Sequence, residues 1–435
     1  MNRLYTSFPV TNFYTFKLQM LNWSTRFNIC CFLDNHNYQI SPHSYECILA
    51  AGALQFIEAK SGDAFNQLKV FSDAQPDWLF GHFSYDLKNE IEQLRSERPD
   101  HIQFPDLFFF VPRIIVRLDA DRVTIGVIDE DASQILHSIL STPATFAEQD
   151  ADALIAVKQR FSHEHYVNVI EKLKSHIHRG DCYEINFCQE FFADNVDIDP
   201  VAVYDSLGTI SPNPFSAFYR LDERYLMCAS PERYLKKTGT QLISQPMKGT
   251  SGRSDDALND QSKKVRLSES AKEKTENVMI VDLVRNDLSK ICREGTVHVE
   301  ELFGIYAFPQ VYQMISTVTG ELQPDMHWVD AIRSSFPMGS MTGAPKKRVM
   351  ELIEQYEQTK RGIFSGAVGY VTPERDFDFN VVIRSIMYNR NERYLSYQAG
   401  SGITYYSNPE TEYEECLLKV EAIKKVLTRS VSQHF

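Results

Sequence analysis

The chain lacks the features that mark several large classes of protein. No apolar run approaches the ~20 residues that a membrane-spanning helix needs, and no stretch combines the basic and apolar regions of a secretion signal. The eight cysteines among 435 residues show no Cys-x-x-Cys spacing. The sequence therefore argues against a membrane protein or a disulfide-rich secreted protein, and a reducing cytoplasm is the expected location.

Basic residues are also in short supply. The chain has 45 Lys and Arg against 58 Asp and Glu, a formal net charge of -13. It has no basic arm or stripe that would neutralise nucleic-acid phosphates, and no internal repeat at solenoid spacing. A general nucleic-acid binder is therefore disfavoured, and the site for any anionic substrate must be a local cluster of positive charge.

What is present is ample material for a globular core, with 43% hydrophobic and 12% aromatic residues. Residues 1–140 form a β-rich part, and residues 155–430 mix helices with strands in hairpins. The small and acidic residues of 141–152 predict a linker, and polar residues 249–264 a mobile loop. Strands over 183–247 predict an antiparallel meander. This pattern indicates an α+β protein with large antiparallel sheets, its two parts packed as one compact unit.

One stretch, residues 269–287, predicts a helix that is apolar enough to be buried and yet carries Glu273 and Glu276 one turn apart. The same spacing returns near the C-terminus with Glu412 and Glu415. Four carboxylates that converge would repel one another unless a cation lay between them, and an all-oxygen set suits Mg2+. Because such a pair by itself is typical of a solvated helix face, other motifs must support this interpretation.

One turn and two side chains are candidates for chemistry. The turn FPMGSMTGAPKK is not a phosphate-binding P-loop, because only three residues separate Gly339 from Gly343, although its backbone N–H groups could still approach an anion. Lys248 ends a strand, where lysine is ordinarily a surface charge; if desolvated, its amine is a nucleophile. Glu232 ends the preceding strand, and a buried, protonated carboxyl could act as a general acid.

Together, seven segments resemble those of the chorismate-utilising enzymes, in the order and approximate spacing found there: ASPERY, QPMKGT, ENVMIVDLVRNDL, FPMGSMTGAPK, FNVVIRS, AGSGI and EYEECLLK. The resemblance covers roughly residues 162–427, and GHFSYDL and SPNPFSAFY extend it loosely toward the N-terminus. It implies a large αββα sandwich of antiparallel sheets flanked by helices, as in the anthranilate synthase component I fold. Residues 155–430 would be the chorismate-binding catalytic part and residues 1–140 a scaffold.

The resemblance also implies a role for individual residues. Glu276 and Glu415 would hold Mg2+ directly, with Glu273 and Glu412 reaching it through water, and the metal would bind the ring carboxylate of chorismate. The positions that match substrate-binding residues of the family are Arg384, Gly400, Ser401, Gly402, Lys419, Ser340, Gln313 and Glu184.

Within the family, the lysine of PMKGT, Lys248, resembles the aminodeoxychorismate synthase component I branch, because enzymes that make anthranilate or isochorismate usually carry a small residue there. Glu232 would protonate the departing 4-hydroxyl while the Lys248 amine attacks C2. Ammonia from a separate glutamine amidotransferase subunit would then attack C4, giving 4-amino-4-deoxychorismate for 4-aminobenzoate and folate synthesis. The amine must be neutral to attack, so we expect burial and Mg2+ to lower its pKa.

Alternatives within the resemblance are anthranilate synthase component I, isochorismate synthase and an inactive regulatory subunit. Glu184 occupies the place of a lysine base in relatives that add water at C2, which argues against isochorismate. Three positions depart from the family pattern. Gln313 replaces a common His and retains only a hydrogen bond, Met338 replaces a Gly and would narrow the cleft, and Asn35 replaces a Ser, which argues against a tryptophan site.

Overall fold

The computed structural model describes residues 3–38, 45–146, 155–308 and 311–428. Half of the predicted linker, residues 147–152, lies outside these ranges. The strands of the described part are β1 (Leu4–Pro9), β2 (Ile29–Asp34), β3 (Cys47–Ala59), β4 (Leu79–Phe83), β5 (Leu107–Leu118), β6 (Arg122–Val127), β7 (Lys158–Gln159), β8 (Glu184–Ala193), β9 (Phe215–Leu221), β10 (Arg224–Ser230), β11 (Arg233–Thr238), β12 (Gln241–Gln245), β13 (Met247–Gly252), β14 (His298–Ala307), β15 (Val311–Glu321), β16 (Gly343–Ala344), β17 (Ala367–Val371), β18 (Phe377–Asn380), β19 (Ser385–Asn389) and β20 (Tyr394–Ile403).

Helices come before, between and after these strands. They are α1 (Phe13–Ser24), α2 (Ala64–Ala74), α3 (Lys88–Glu92), α4 (Ala132–Leu140), α5 (His163–His178), α6 (Pro200–Ile210), α7 (Ala257–Glu269), α8 (Ala271–Ser289), α9 (Trp328–Ser335), α10 (Lys346–Tyr356), α11 (Pro409–Lys419) and α12 (Glu421–Thr428), with short 3-10 turns at Tyr85–Leu87 and Gly339–Met341. No helix in the described ranges is long and apolar enough to cross a lipid bilayer.

The strands form one antiparallel hydrogen-bonded network. Strands from the N-terminal part pair with strands from the C-terminal part, since β2 lies beside β9 and β4 lies beside β17. The β5 and β6 strands pair as a hairpin. The predicted meander is interrupted, because β10 takes β19 as its second neighbour and β11 takes β18. Strands distant in sequence therefore complete the sheet around residues 224–238.

Buried apolar side chains form two large clusters. One joins α8 and α9 to strands such as β4, β5 and β17. The other joins α1, α5, α6 and α11 to strands such as β8 and β20. Helices thus flank the antiparallel sheet network in both clusters, which confirms the predicted α+β class. All eight cysteines are buried and free.

The stretch 249–287 differs from its prediction in its first part. Residues 249–264 are not a mobile loop but belong largely to β13 and α7. The helix predicted over residues 269–287 forms as α8 (Ala271–Ser289), and it starts after Ser270, because the Ser270 hydroxyl accepts a hydrogen bond from the Glu273 N–H at 3.3 Å and caps its first turn. The cap fixes where the turn that carries Glu273 and Glu276 begins.

Two helices meet the sheet where the predicted site residues lie. The α8 helix packs against β13 and β15, and α11 packs against β20. Because β20 also pairs with β8, side chains from all of these elements can reach one cleft.

Candidate active site

A cavity of about 230 Å3 lies between α8, α11 and the ends of several strands. Most of the predicted site residues line it, although they come from distant parts of the chain: Glu232, Lys248, Glu273, Glu276, Gln313, Ser340, Arg384, Gly400, Glu415 and Lys419.

The other four predicted residues lie behind this lining. Glu184 is buried beneath Lys248, whose Nζ donates to Glu184 Oε1 at 2.5 Å. Gly402 passes so close to the Lys248 amine that a Cβ at this position would collide with it. Ser401 pairs with Phe187 within the sheet, and Glu412 is fully buried on α11.

Glu232 has the environment of a general acid. Its residue exposure is only 4%, and burial raises the pKa of its carboxyl to about 7. The Ser340 hydroxyl, the Met247 backbone and the Lys248 charge lower that pKa, but together they do not offset burial. A large fraction of Glu232 therefore carries a proton near neutral pH.

Lys248 does not have the environment that we expected. Burial disfavours its charge, but the carboxylates of Glu184, Glu276 and Glu415 outweigh burial and raise its pKa above the ordinary value. The predicted lowering of this pKa is therefore wrong for the protein alone. The physical reason is Glu184, which comes from a strand far earlier in the chain and accepts a charge-assisted hydrogen bond. The resting amine is an ammonium ion with a proton acceptor in contact.

The four glutamates of α8 and α11 lie among lysines. Within the described residues, no group of three or more His, Cys, Asp or Glu side chains is close enough to hold a metal ion. Lys419 Nζ lies 2.6 Å from Glu415 Oε1, and this contact holds the Glu415 pKa at about 2 although burial opposes it. Burial raises the pKa of Glu273, and it raises that of Glu276 to about 7.

These side chains nevertheless fit a hard divalent cation. Glu276 Oε1 and Glu412 Oε2 are buried carboxylate oxygens without a hydrogen-bond partner. Such orphaned acceptors are costly unless a donor or a cation satisfies them. The donor set contains only oxygen, as Mg2+ prefers.

Arg384 and Lys419 add positive charge to the cavity lining. Arg384 lies between β18 and β19 with φ of 53°, directly before the first residue of β19. Its Nη1 donates to the carbonyl of Lys419 at 2.9 Å. Burial lowers the Arg384 pKa to about 10, which leaves the guanidinium charged. A planar, charged guanidinium in a cavity wall is suited to a carboxylate.

The departures from the family pattern fall in three different places. Gln313 lines the large cavity, and its Oε1 accepts from the Thr250 hydroxyl at 2.9 Å. Met338 does not narrow that cavity; it lines a separate space of about 20 Å3 on another side of Glu232. Asn35 borders a third cavity, of about 70 Å3, together with Asp34. Lys17 Nζ lies 2.8 Å from Asp34 Oδ2 and neutralises this carboxylate.

Sequence reasoning missed the side chain that joins two walls of the cavity. Arg361 is buried and donates to the Met341 carbonyl at 2.6 Å and the Asn186 carbonyl at 2.8 Å. Its partner Glu357 accepts from the Cys188 N–H at 2.9 Å. Asn186 and Met341 both line the cavity. The alternation of polar and apolar residues along β8 could have indicated that Asn186 faces the cavity. No sequence spacing could have indicated that Arg361 donates to the backbone carbonyls of two cavity-lining residues.

The comparison with known proteins agrees with this arrangement. A sequence profile described as "chorismate binding enzyme" matches residues 29–425. The chain belongs to the chorismate-binding enzyme family. Because the match starts near residue 29, the family relationship extends well beyond residues 162–427, which carry the motifs.

Members of the chorismate-binding family with different names are about equally similar to the chain. Aminodeoxychorismate synthase component 1 of Escherichia coli (strain K12) is 32% identical over 349 residues, which cover 80% of this chain and 76% of that protein. Anthranilate synthase component 1 of Cereibacter sphaeroides is 30% identical over 369 residues, which cover 80% and 73%. Identity alone therefore does not separate these two activities.

The crystal structure of anthranilate synthase component I from Streptococcus pneumoniae TIGR4 superposes with a TM-score of 0.76 at 25% identity, covering 90% of this chain and 95% of that one. This confirms the predicted fold. Because one fold hosts several reactions, the activity has to be argued from the site.

Proposed function

We propose that the protein aminates chorismate at C4 with ammonia and forms 4-amino-4-deoxychorismate. The observation that carries this proposal is the Lys248 amine, which borders the cavity with Glu184 as its proton acceptor 2.5 Å away. The similarity to aminodeoxychorismate synthase component 1 of Escherichia coli supports the same reaction. The product would serve 4-aminobenzoate and folate synthesis after a separate lyase removes its pyruvate.

Cationic side chains of the cavity lining would bind the carboxylates of chorismate. Arg384 would bind the enolpyruvyl carboxylate through its planar guanidinium. Lys419 and the backbone of Gly400 would bind further oxygens beside it, since both line the same wall. This orientation directs the ring toward Lys248 and Glu232.

In the first half-reaction, Glu184 takes a proton from Lys248 Nζ, and the neutral amine attacks C2 of the ring. The new C2–N bond forms as the two ring double bonds shift and the C4–O bond breaks. Glu232 gives its proton to the departing oxygen, which leaves as water. Lys248 is then joined covalently to the ring.

In the second half-reaction, ammonia attacks C4 and the double bonds shift back. The C2–N bond to Lys248 breaks, and the amine recovers its proton from Glu184. The Glu232 carboxylate accepts the surplus proton of the new C4 ammonium. Both carboxyl groups and the lysine thereby return to their starting states.

We propose Glu276 and Glu415 as direct ligands of Mg2+, with Glu273 and Glu412 acting through water. The ion, when bound, neutralises the ring carboxylate and so favours electron flow toward the ring. The buried, unpartnered oxygens of Glu276 and Glu412 support this assignment.

The identity of the product tests the proposed function. Purified protein is incubated with chorismate, Mg2+ and ammonium, and the products are separated by chromatography. We expect 4-amino-4-deoxychorismate as the main product. Anthranilate or isochorismate as the main product would indicate the activity of a different family member. Absence of turnover would indicate a regulatory subunit.

A separate subunit is expected to supply the ammonia, because free ammonia is scarce at neutral pH and no cysteine here lies in a Gly-x-Cys-x-Gly elbow of a glutaminase. Glutamine should support turnover only after a glutamine amidotransferase subunit is added, whereas ammonium should support it without one. Glutamine-dependent activity of the purified chain alone would contradict this prediction.

The metal assignment predicts that Glu276→Gln and Glu415→Gln each lower kcat/KM by at least about 10²-fold, because removing a charged ligand weakens a hard-cation site. Glu273→Gln should lower kcat/KM by a smaller factor. Glu414→Gln is the matched control, since Glu414 is exposed on α11 next to Glu415. Mg2+ titrations of activity would measure the effect. Equal activity in chelated and Mg2+-replete enzyme would refute the site.

A further inference from the structure

Lys272 occupies an unusual place between the two glutamate helices. It lies in the first turn of α8, and its Nζ is 3.7 Å from Glu276 Oε1 on the same helix and 3.5 Å from Glu412 Oε1 on α11. It therefore neutralises one carboxylate of each helix at the point where they approach each other.

Both carboxylates are buried, and Glu276 has one other cation nearby, since Lys248 Nζ lies 3.8 Å from Glu276 Oε2. The Glu412 side chain is 1% exposed and that of Glu276 is 8% exposed. One oxygen of each, Glu412 Oε2 and Glu276 Oε1, has no hydrogen-bond partner. The buried carboxylates of Glu276 and Glu412 both lie beside the Lys272 ammonium. They would repel each other if no positive charge lay between them.

Lys272 is free to leave this position, whereas the glutamates are not. Its side chain is 39% exposed, and it does not border the large cavity. A long, flexible lysine can move its ammonium group into water at small cost. Glu412, by contrast, is enclosed by protein on all sides.

We propose that Lys272 is a built-in counter-cation that holds α8 and α11 together in the metal-free protein and competes with the divalent cation for Glu276 and Glu412. The inference rests on the proposed metal site and adds a residue that sets its affinity. Because Glu276 as a direct ligand and Glu412 through its water would each exchange the ammonium for the divalent ion, Mg2+ binding displaces Lys272 toward solvent.

The test is Lys272→Met, which removes the charge and keeps the length of the side chain. Without the competitor, we expect Mg2+ to bind about threefold to tenfold more tightly, the range that one or two partly exposed ion pairs supply. In chelator, the variant should melt at a lower temperature than the unmodified protein, because Glu276 and Glu412 then repel. Its melting temperature should rise more on addition of Mg2+.

Lys274→Met is the matched control. Lys274 lies on the same helix, with Nζ 5.7 Å from the centre of the Phe303 ring, so its loss changes the net charge equally. Mg2+ affinity is measured by calorimetry on all three proteins, and melting is followed with and without the ion. Tighter binding confined to Lys272→Met supports the inference.

Other outcomes overturn it in distinguishable ways. Equal affinity in the three proteins, an equal gain in both variants, or weaker binding in Lys272→Met would each overturn the role of Lys272 and leave the proposed amination intact. If the unmodified protein bound no Mg2+, both the metal site and this inference would be wrong. The product assay with ammonium tests the amination itself separately.

Discussion

Replacing Glu232 by glutamine is expected to lower the kcat of ammonium-dependent amination by about 10²- to 10⁴-fold, the usual contribution of a general acid. The 4-hydroxyl of chorismate leaves poorly without a proton. Glu232 is placed at the cavity, is 4% exposed and has its pKa raised to about 7 by burial. Glutamine retains the shape and one hydrogen bond but has no proton to transfer. Steady-state kinetics with chorismate and ammonium would measure the loss.

The pH dependence of kcat and of stability provides a control for the role of Glu232. In the unmodified enzyme, kcat should fall as the pH rises through about 7, because the proton on Glu232 is lost. Between the ordinary pKa of 4.5 and about 7, the folded protein binds the proton more tightly than the unfolded chain, so stability decreases as the pH rises through this window. The Glu232→Gln variant has no carboxyl proton to lose, so its stability does not decrease in this window. Above about pH 7 it should therefore unfold at a higher temperature than the unmodified protein. An active Glu232→Gln enzyme would exclude Glu232 as the acid.

Replacing Lys248 by alanine is expected to lower kcat by on the order of 10²-fold or more, because the tethered nucleophile is removed. Only a slow direct attack by ammonia would remain, and it could divert product toward anthranilate. The measurement is the rate and the product distribution with saturating ammonium. Full activity of Lys248→Ala would leave Lys248 as an ordinary charged side chain.

Loss of stability must be separated from loss of the nucleophile in this variant. Lys248→Ala leaves Glu184 buried without its hydrogen-bond donor, which costs roughly 1–3 kcal/mol. Combining Lys248→Met with Glu184→Gln removes both charges and should restore the melting temperature without restoring turnover. If stability and turnover returned together, Lys248 would be a structural residue.

The sequence was sufficient to name candidate side chains that line one cavity, but not to predict their interactions. Glu232 and Lys248 could be located because each stands in a recognisable motif, although the prediction that each ends a strand is wrong: Glu232 lies between β10 and β11, and Lys248 is the second residue of β13. The pKa of Lys248 could not be predicted, because it depends on Glu184, which is separated from Lys248 by 64 positions and lies on β8, whereas Lys248 lies on β13. Glu412 was expected near a metal but is also the partner of Lys272.

For the fold, too, local elements could be predicted from the sequence, but contacts between distant segments could not. Hairpins and helices indicated the α+β class, since both depend on local periodicity and turn residues. The pairing of β10 with β19 and of β2 with β9 depends on contacts between distant segments, which no local pattern encodes. At Ser270 a local signal did exist, because Ser followed three residues later by Glu273 is a capping pattern. It places the start of the helix within two residues of the predicted start at 269.

The central claim, that Lys248 bonds covalently to the ring of chorismate, is tested most directly by mass spectrometry of the enzyme itself. The protein is mixed with chorismate and Mg2+ in the absence of ammonia, quenched and digested. We expect the peptide that contains Lys248 to carry the mass of chorismate less one water, and we expect ammonium added before the quench to remove this mass. An unmodified Lys248 peptide, in an enzyme that then turns over normally when ammonium is added, would contradict the account.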